Sequence, residues 1–507
     1  MLGIFGKKSD HPMADLKSAQ ALLADLPKND ALKALQELTG WIESVREQAE
    51  FRLEQQVMVL RLLDETARPF ERKLTREYFA VSALPPFQEN RLWVVLNEFF
   101  VQLLQAYRSV LARVRNGDKG ASSLRAMLPL IAARGVNAAA GRLKFAAAHY
   151  AFVDQEIWVG LADFYQHAEA QQYLNELLQL YAGAESKTSV RQEFATVLMW
   201  HATCFGTLSR NNMHLAERLA AYLSQCFTVS AQRDTGSRFI FDLHQPMSPM
   251  RLGADAAPLP SLRFLGVEKL QPQMDGLLKA LEKNFVPKEI NLGGVYEAEA
   301  VRSVALHLAE CMAWPPPMRR NARHNIKVSL SVASGFVGVM EQAFNGLNFG
   351  SDANASWRAE DISTSGLRCI RPAAGADKIE IGMLLGLKPE RVERWGVGIV
   401  RRITRDPHNN QHIGIEKLAN EVDGVALRER AEDEEQHALW LDSPGGNAAE
   451  VDLLMSPASF TPGRSLHTQL GSKRYLLIPL RLVESGVDFD LARYRKVEED
   501  AAAGEVD

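Results

Sequence analysis

Pro315-Pro316-Pro317-Met318-Arg319-Arg320-Asn321-Ala322-Arg323-His324-Asn325 runs directly into IKVSLSV (326–332). Three consecutive prolines stop any helix, because each lacks a backbone N–H and fixes φ. Upstream of them the chain reads largely helical. Downstream it breaks into short runs rich in Val and Ile: FVGVM (336–340), LRCI (367–370), GVGIVRRI (396–403) and HIGIEKL (412–418). Turn residues such as Asp406-Pro407-His408-Asn409 separate them. Many short strands without long helices between them predict a small antiparallel barrel or sandwich.

From about residue 14 to 230 the apolar residues recur at helical spacing. Asn29-Asp30 can cap a helix whose face carries Leu32, Leu35, Leu38, Ile42 and Val45. The clearest stripe is Leu92, Leu96, Phe99, Leu103, Tyr107, Val110 and Val114, ending near Asn116-Gly117. Further helices are predicted over 123–150, 155–182, 189–209 and 213–228. Helical regions of this size pack as bundles or stacked helix pairs. Trp158, Leu161, Ala162 and Tyr165 match the first half of a tetratricopeptide pattern, but Leu174 breaks the second half and no second copy follows. An ordinary helical hairpin is the simpler reading.

The texture changes again after residue 228. RFIFDL (238–243) alternates as a strand, and 244–263 holds four prolines. Helices are expected near 267–284 and 296–313. After the first β region come HALWL (437–441) and YLLIPLRLV (475–483), then a polar, acidic tail from Glu498 expected to be disordered. The reading is a multidomain α+β chain. It comprises a helical bundle or repeat-like domain over 1–228, a mixed junction over 229–316, a barrel over 317–425 and a small C-terminal β extension over 426–507.

The chain has 507 residues, 46% hydrophobic and 24% charged, with 58 Lys and Arg against 62 Asp and Glu. A nearly balanced charge argues against a nucleic-acid polymer as partner, so any anion site is local. The four cysteines form no CxxC pair and suit a reducing compartment. No apolar run is long enough to span a bilayer, and MLGIFGKK lacks the apolar region of a signal peptide. A cytoplasmic location without membrane insertion is expected.

Enzyme motifs are missing from the sequence: it has no P-loop, GxGxxG, HExxH or GxSxxG. A non-enzymatic protein without metal or cofactor is expected. His201 and Cys204 have metal-ligand spacing but no partner pair, and read as core residues. The informative feature is the cluster Arg319, Arg320 and Arg323, with no acid among them. Guanidinium groups match phosphates and the O6/N7 edge of guanine, and stack on purine faces. The same cluster also reads as a solvated basic linker. Asp361-Ile362-Ser363-Thr364-Ser365-Gly366 then joins a short strand to LRCI, offering short polar side chains and a glycine that permits a tight or positive-φ backbone. A plain β-turn fits that stretch equally well.

Together, RxxxR (Arg319, Arg323) and DxSxxG (Asp361, Ser363, Gly366) resemble the paired motifs of PilZ domains, bacterial receptors for cyclic di-GMP. Gly396-Val397-Gly398-Ile399-Val400 and His412-Ile413-Gly414-Ile415-Glu416 are similar to that family's later strands, with Gly414 at its usual glycine. The resemblance covers about 317–425. It implies a six-stranded antiparallel barrel. On that barrel Arg319 and Arg323 hold guanine and phosphate, with Arg320 adding phosphate contact. Asp361 and Ser363 meet the base, and Gly366 shapes the turn. It further implies a receptor whose helical region passes the signal to a protein partner; an adapter that binds only protein is the alternative.

Overall fold

The computed structural model describes residues 11–48, 50–80, 84–183, 186–253, 259–315, 321–345, 356–372, 378–430, 432–441 and 449–499. The chain divides into two compact units. The first is Met1–His149, Val153–Phe205 and Arg210–Pro317; the second is Met318–Asp507 with the short loops Tyr150–Phe152 and Gly206–Ser209.

The first unit opens with eight α-helices: α1 (Leu16–Ala24), α2 (Ala31–Glu47), α3 (Leu53–Tyr78), α4 (Pro86–Arg115), α5 (Leu128–Ala148), α6 (Gln155–Ala170), α7 (Val190–Cys204) and α8 (Arg210–Tyr222). The Asp30 side chain caps α2 by accepting the Lys33 N–H at 3.0 Å. On α4, Leu92, Leu96, Phe99, Leu103, Tyr107 and Val110 are all buried, as the stripe requires. Trp158, Leu161, Ala162 and Tyr165 are buried on α6, and His201 and Cys204 are core residues of α7. A four-stranded antiparallel sheet follows, in the order β1 (Phe227–Ser230), β4 (Leu262–Val267), β2 (Ser237–Asp242), β3 (Met250–Arg251). Helices α9 (Leu270–Glu282) and α10 (Ala298–Met312) complete the unit.

The helix predicted over 155–182 ends at Ala170, and Gln172 turns left-handed with φ of 62°. Tertiary contacts fix the segment that follows. Tyr181 lies between two guanidinium groups, Arg68 at 4.0 Å and Arg134 at 4.6 Å from its ring centroid. Its hydroxyl donates to Asp64 Oδ2 at 3.2 Å, and Tyr107 donates to the same oxygen at 2.6 Å. Arg68 donates to Asp64 Oδ1 at 2.9 Å. A buried carboxylate is tolerable because cations and hydroxyls surround it.

The second unit contains two closed barrels. The first uses β5 (His324–Ser334), β6 (Ser356–Ile362), β7 (Gly366–Arg371), β8 (Leu384–Pro389), β9 (Gly396–Arg405) and β10 (Gln411–Ala419), with helix α11 (Gly335–Asn345) between β5 and β6. The second uses β11 (Asp423–Arg428), β12 (Gln436–Leu441), β13 (Glu450–Met455), β14 (Leu466–Leu470), β15 (Lys473–Ser485) and β16 (Asp490–Glu499). Around the first barrel the order is β5-β6-β7-β10-β9-β8; around the second it is β11-β12-β13-β16-β15-β14. Strand for strand, the chain traces one topology twice. The segment read as a small extension is therefore a full six-stranded antiparallel barrel.

FVGVM is not a strand but the first turns of α11. Phe336, Val339 and Met340 are buried while Val337 is 69% exposed, a helical period that a five-residue window cannot separate from alternation. Gly335, at φ of 78°, turns the chain out of β5. The Asp488 carboxylate, from the β15–β16 turn, then caps the helix: Oδ2 accepts the Phe336 N–H at 2.6 Å. Its other oxygen accepts the Leu384 N–H at 3.0 Å. The acidic stretch at Glu498 also departs from expectation. It ends β16, with Glu498 held by Lys473 at 2.9 Å and Glu499 by His467 at 3.0 Å. Residues 500–507 lie outside the described residues.

Each barrel has its own interior, Leu330, Trp357, Cys369, Val400 and Ile413 in one and Val425, Trp440, Leu453, Leu477 and Tyr494 in the other. A third cluster belongs to both. Phe336, Val339 and Met340 of α11 and Leu384, Val397 and Ile399 of the first barrel pack with Leu439, Leu454, Phe489 and Leu491 of the second. Outside it, Arg401 makes a forked pair with Glu484, at 2.6 and 2.7 Å, and a further bond to Glu416 at 2.7 Å.

Candidate functional site

The two sequence motifs meet on the outer surface of the first barrel. β5 pairs with β6 so that His324 lies opposite Ile362 and Asn325 opposite Asp361. Arg323, one residue ahead of β5, is therefore carried to the end of β6. There its Nη1 donates to Asp361 Oδ1 at 2.6 Å. The register of β6 on β7 shifts between Ala359 and Asp361, which sets Asp361 opposite Arg368. Arg368 Nε lies 3.2 Å from Asp361 Oδ2, and its Nη2 lies 3.0 Å from Glu360 Oε2. Asp361 is only 8% exposed although it sits on the outer face, because two guanidinium groups cover it.

The β6–β7 turn supplies the other motif residues. The Ser363 N–H donates to the Gly366 carbonyl at 2.7 Å, and the Ser363 hydroxyl to the same oxygen at 3.3 Å. Thr364 and Ser365 form the exposed tip. From the arm, Asn321 Nδ2 donates to Ser365 Oγ at 3.1 Å. From β10, the Lys417 N–H reaches the Ser365 carbonyl at 3.0 Å. The turn is thus tied to the arm on one side and to the barrel on the other.

Gly366 does not need the positive φ that its turn position suggested. What it provides is room. A Cβ there would lie 3.2 Å from the Ile415 carbonyl and 4.0 Å from Arg323 Nη2, tight against β10 and facing the arginine. Crowding explains the glycines of β9 as well. A Cβ on Gly396 would stand 2.7 Å from the Asn420 carbonyl, and one on Gly398 would stand 2.6 Å from that of Glu416.

The structure thus gathers Arg323, Asp361, Ser363 and Gly366 at one corner of the barrel. Arg319 and Arg320 lie outside the described residues. Sequence reasoning missed Arg368. Its signal was modest: a cation two residues beyond Gly366, at an outward position of a strand whose alternate residues Leu367 and Cys369 fill the interior. Among the described residues the corner holds two cations, Arg323 and Arg368, and two carboxylates, Asp361 and Glu360. A carboxylate accepts a pair of adjacent N–H donors; a guanidinium binds phosphate, or a base edge with two acceptors. The corner therefore matches a ligand combining both, as a purine nucleotide does.

A comparison with curated proteins gives no match. The helical part of the chain, residues 17–233, is similar to the family described as the cyclic-di-GMP receptor FimW, N-terminal domain.

Proposed function

We propose that the first barrel is a PilZ-type cyclic di-GMP site and that the helical region passes the bound state to a protein partner. Arg319 and Arg323 hold guanine and phosphate from the arm, and Arg320 adds a phosphate contact. Asp361 accepts the N–H groups of the base, Ser363 bonds the ligand from the turn, and Gly366 keeps the surface open beneath it. The observation that carries this reading is the 2.6 Å contact between Arg323 and Asp361. It brings residues 38 positions apart, one from each motif, to a single point, beside a glycine whose missing side chain leaves the guanidinium accessible. The family of residues 17–233 supports the same ligand from an independent part of the chain. The two motif arginines follow Pro317, where the units divide, so the ligand-binding arm is also the covalent connection to the helices.

Isothermal titration of the full chain with cyclic di-GMP tests the site. Truncating one member of a desolvated charged contact costs about 2–5 kcal/mol, roughly 30- to several-thousand-fold in affinity. Arg323→Ala and Arg319→Ala should each lose binding to that extent without unfolding the barrel. Unchanged isotherms for both variants would refute the assignment. Pull-down of partners by the full chain, with and without nucleotide, tests transmission. Identical capture in both states would leave a scaffold that does not use the nucleotide.

A further inference from the structure

We propose that Arg368 and Arg402, flanking Gly414 on the outer face of the first barrel, form a second anion subsite that takes a phosphodiester group of the cyclic dinucleotide. This rests on the receptor reading above and extends its site across three strands.

The strand registers set the residues in one row. Asp361 on β6 lies opposite Arg368 on β7, Arg368 opposite Gly414 on β10, and Gly414 opposite Arg402 on β9. Arg368, Gly414 and Arg402 face outward, because their neighbours Leu367, Cys369, Ile413, Ile415 and Ile403 fill the barrel interior. Adjacent strands lie about 4.8 Å apart, which places the two arginine backbones roughly 10 Å from each other. The floor between them is bare main chain. A side chain at Gly414 would occupy it, since a Cβ there would stand 3.1 Å from the Cβ of Arg402.

Charge favours the same conclusion. At the motif corner, Asp361 and Glu360 offset Arg323 and Arg368 among the described residues. A cyclic dinucleotide brings two phosphate charges, and the arm arginines can face one of them. Arg402 adds a third cation to Arg323 and Arg368, on the far side of the glycine floor. Arg368 reaches both ways: it holds Asp361 yet remains half exposed. Guanidinium forks suit a phosphodiester better than a lysine ammonium does, because they meet two oxygens at once. A ligand with one base at Asp361 and its ring laid over Gly414 would present its second phosphate between Arg368 and Arg402.

Titrations of the full chain with cyclic di-GMP at low and high salt test this subsite, using Arg323→Ala, Arg368→Ala, Arg402→Ala and Gly414→Leu. The Arg–carboxylate contacts described at the motif corner are made by Arg323 and Arg368, and Arg402→Ala leaves both of these side chains in place. It should weaken binding at least about tenfold at low salt and less at high salt, the mark of a lost charge contact. Gly414→Leu should block the floor in a chain whose thermal melt shows it folded. Binding within about twofold of wild type for both Arg368→Ala and Arg402→Ala, while Arg323→Ala has lost it, would overturn the subsite and leave the receptor reading standing. Absence of binding by the wild-type chain would overturn both.

Discussion

Asp488→Ala should loosen α11 while leaving the Arg323–Asp361 corner unaltered. The carboxylate accepts two backbone N–H groups of the first barrel, Phe336 at 2.6 Å and Leu384 at 3.0 Å. A hydrogen bond to a charged group contributes about 1.5–3 kcal/mol net, and an anion at a helix N-terminus about 0.3–1 kcal/mol. Asp488 is half-buried, so water replaces part of what is lost and the net cost falls below the sum for two such bonds, to about 2–3 kcal/mol. Hydrogen exchange of the α11 amides should accelerate about 30- to 150-fold if they exchange through local opening. Asp488→Asn keeps one acceptor oxygen and should fall between wild type and Ala. Cyclic di-GMP affinity should stay within about twofold of wild type, because among the described motif residues (Arg323, Asp361, Ser363 and Gly366) none bonds Asp488, which holds the Phe336 and Leu384 N–H groups. Acceleration below about threefold in the Ala variant would show that the cap and the Leu384 bond do not hold α11, and the argument from geometry would fail.

Asp361→Ala and Ser363→Ala should each weaken cyclic di-GMP binding by about 1–2 kcal/mol in calorimetry, less than loss of an arginine. Asp64→Ala should destabilise the helical unit in urea titration by about 3 kcal/mol, the low end for a broken buried pair, because it removes the carboxylate Arg68 and Arg134 share but leaves them Glu71 and Glu65. Stability should fall as pH drops below about 6.5, since burial pushes the pKa values of His11, His167 and His214 down. The folded state then binds fewer protons than the unfolded one, so acid favours unfolding. His214→Asn should flatten part of that dependence in thermal melts.

The sequence was most legible where one residue type is needed for one reason. Asp30 as a cap and the α4 stripe follow from local backbone chemistry. The barrel corner was legible because Arg323 and Asp361 belong to short motifs whose meeting only requires β5 to pair with β6. What escaped depends on distant partners. FVGVM becomes a helix because Asp488, some 150 positions later, accepts its first N–H. Residues 171–182 leave the helix where Tyr181 finds Arg68, Arg134 and Asp64. Glu498 and Glu499 enter a strand that pairs with β15, where Lys473 holds Glu498 and His467 contacts Glu499. Arg368 was hidden by its neighbours: LRCI reads as an apolar strand, and only the register places its one cation against Asp361.

The cluster shared by the two barrels has a consequence for the order in which the chain is made. Leu384, Val397 and Ile399 leave the ribosome well before Phe489 and Leu491, yet they are buried against them. Until the β15–β16 hairpin emerges, the first barrel lacks both the apolar cover over that side and the carboxylate that starts α11. Contacts so far apart in sequence form slowly, and an apolar face awaiting its cover is prone to aggregate. A nascent chain stopped near residue 425 therefore carries Arg323, Asp361, Ser363 and Gly366 but not the surface that lets their barrel persist, which arrives only with the β15–β16 hairpin.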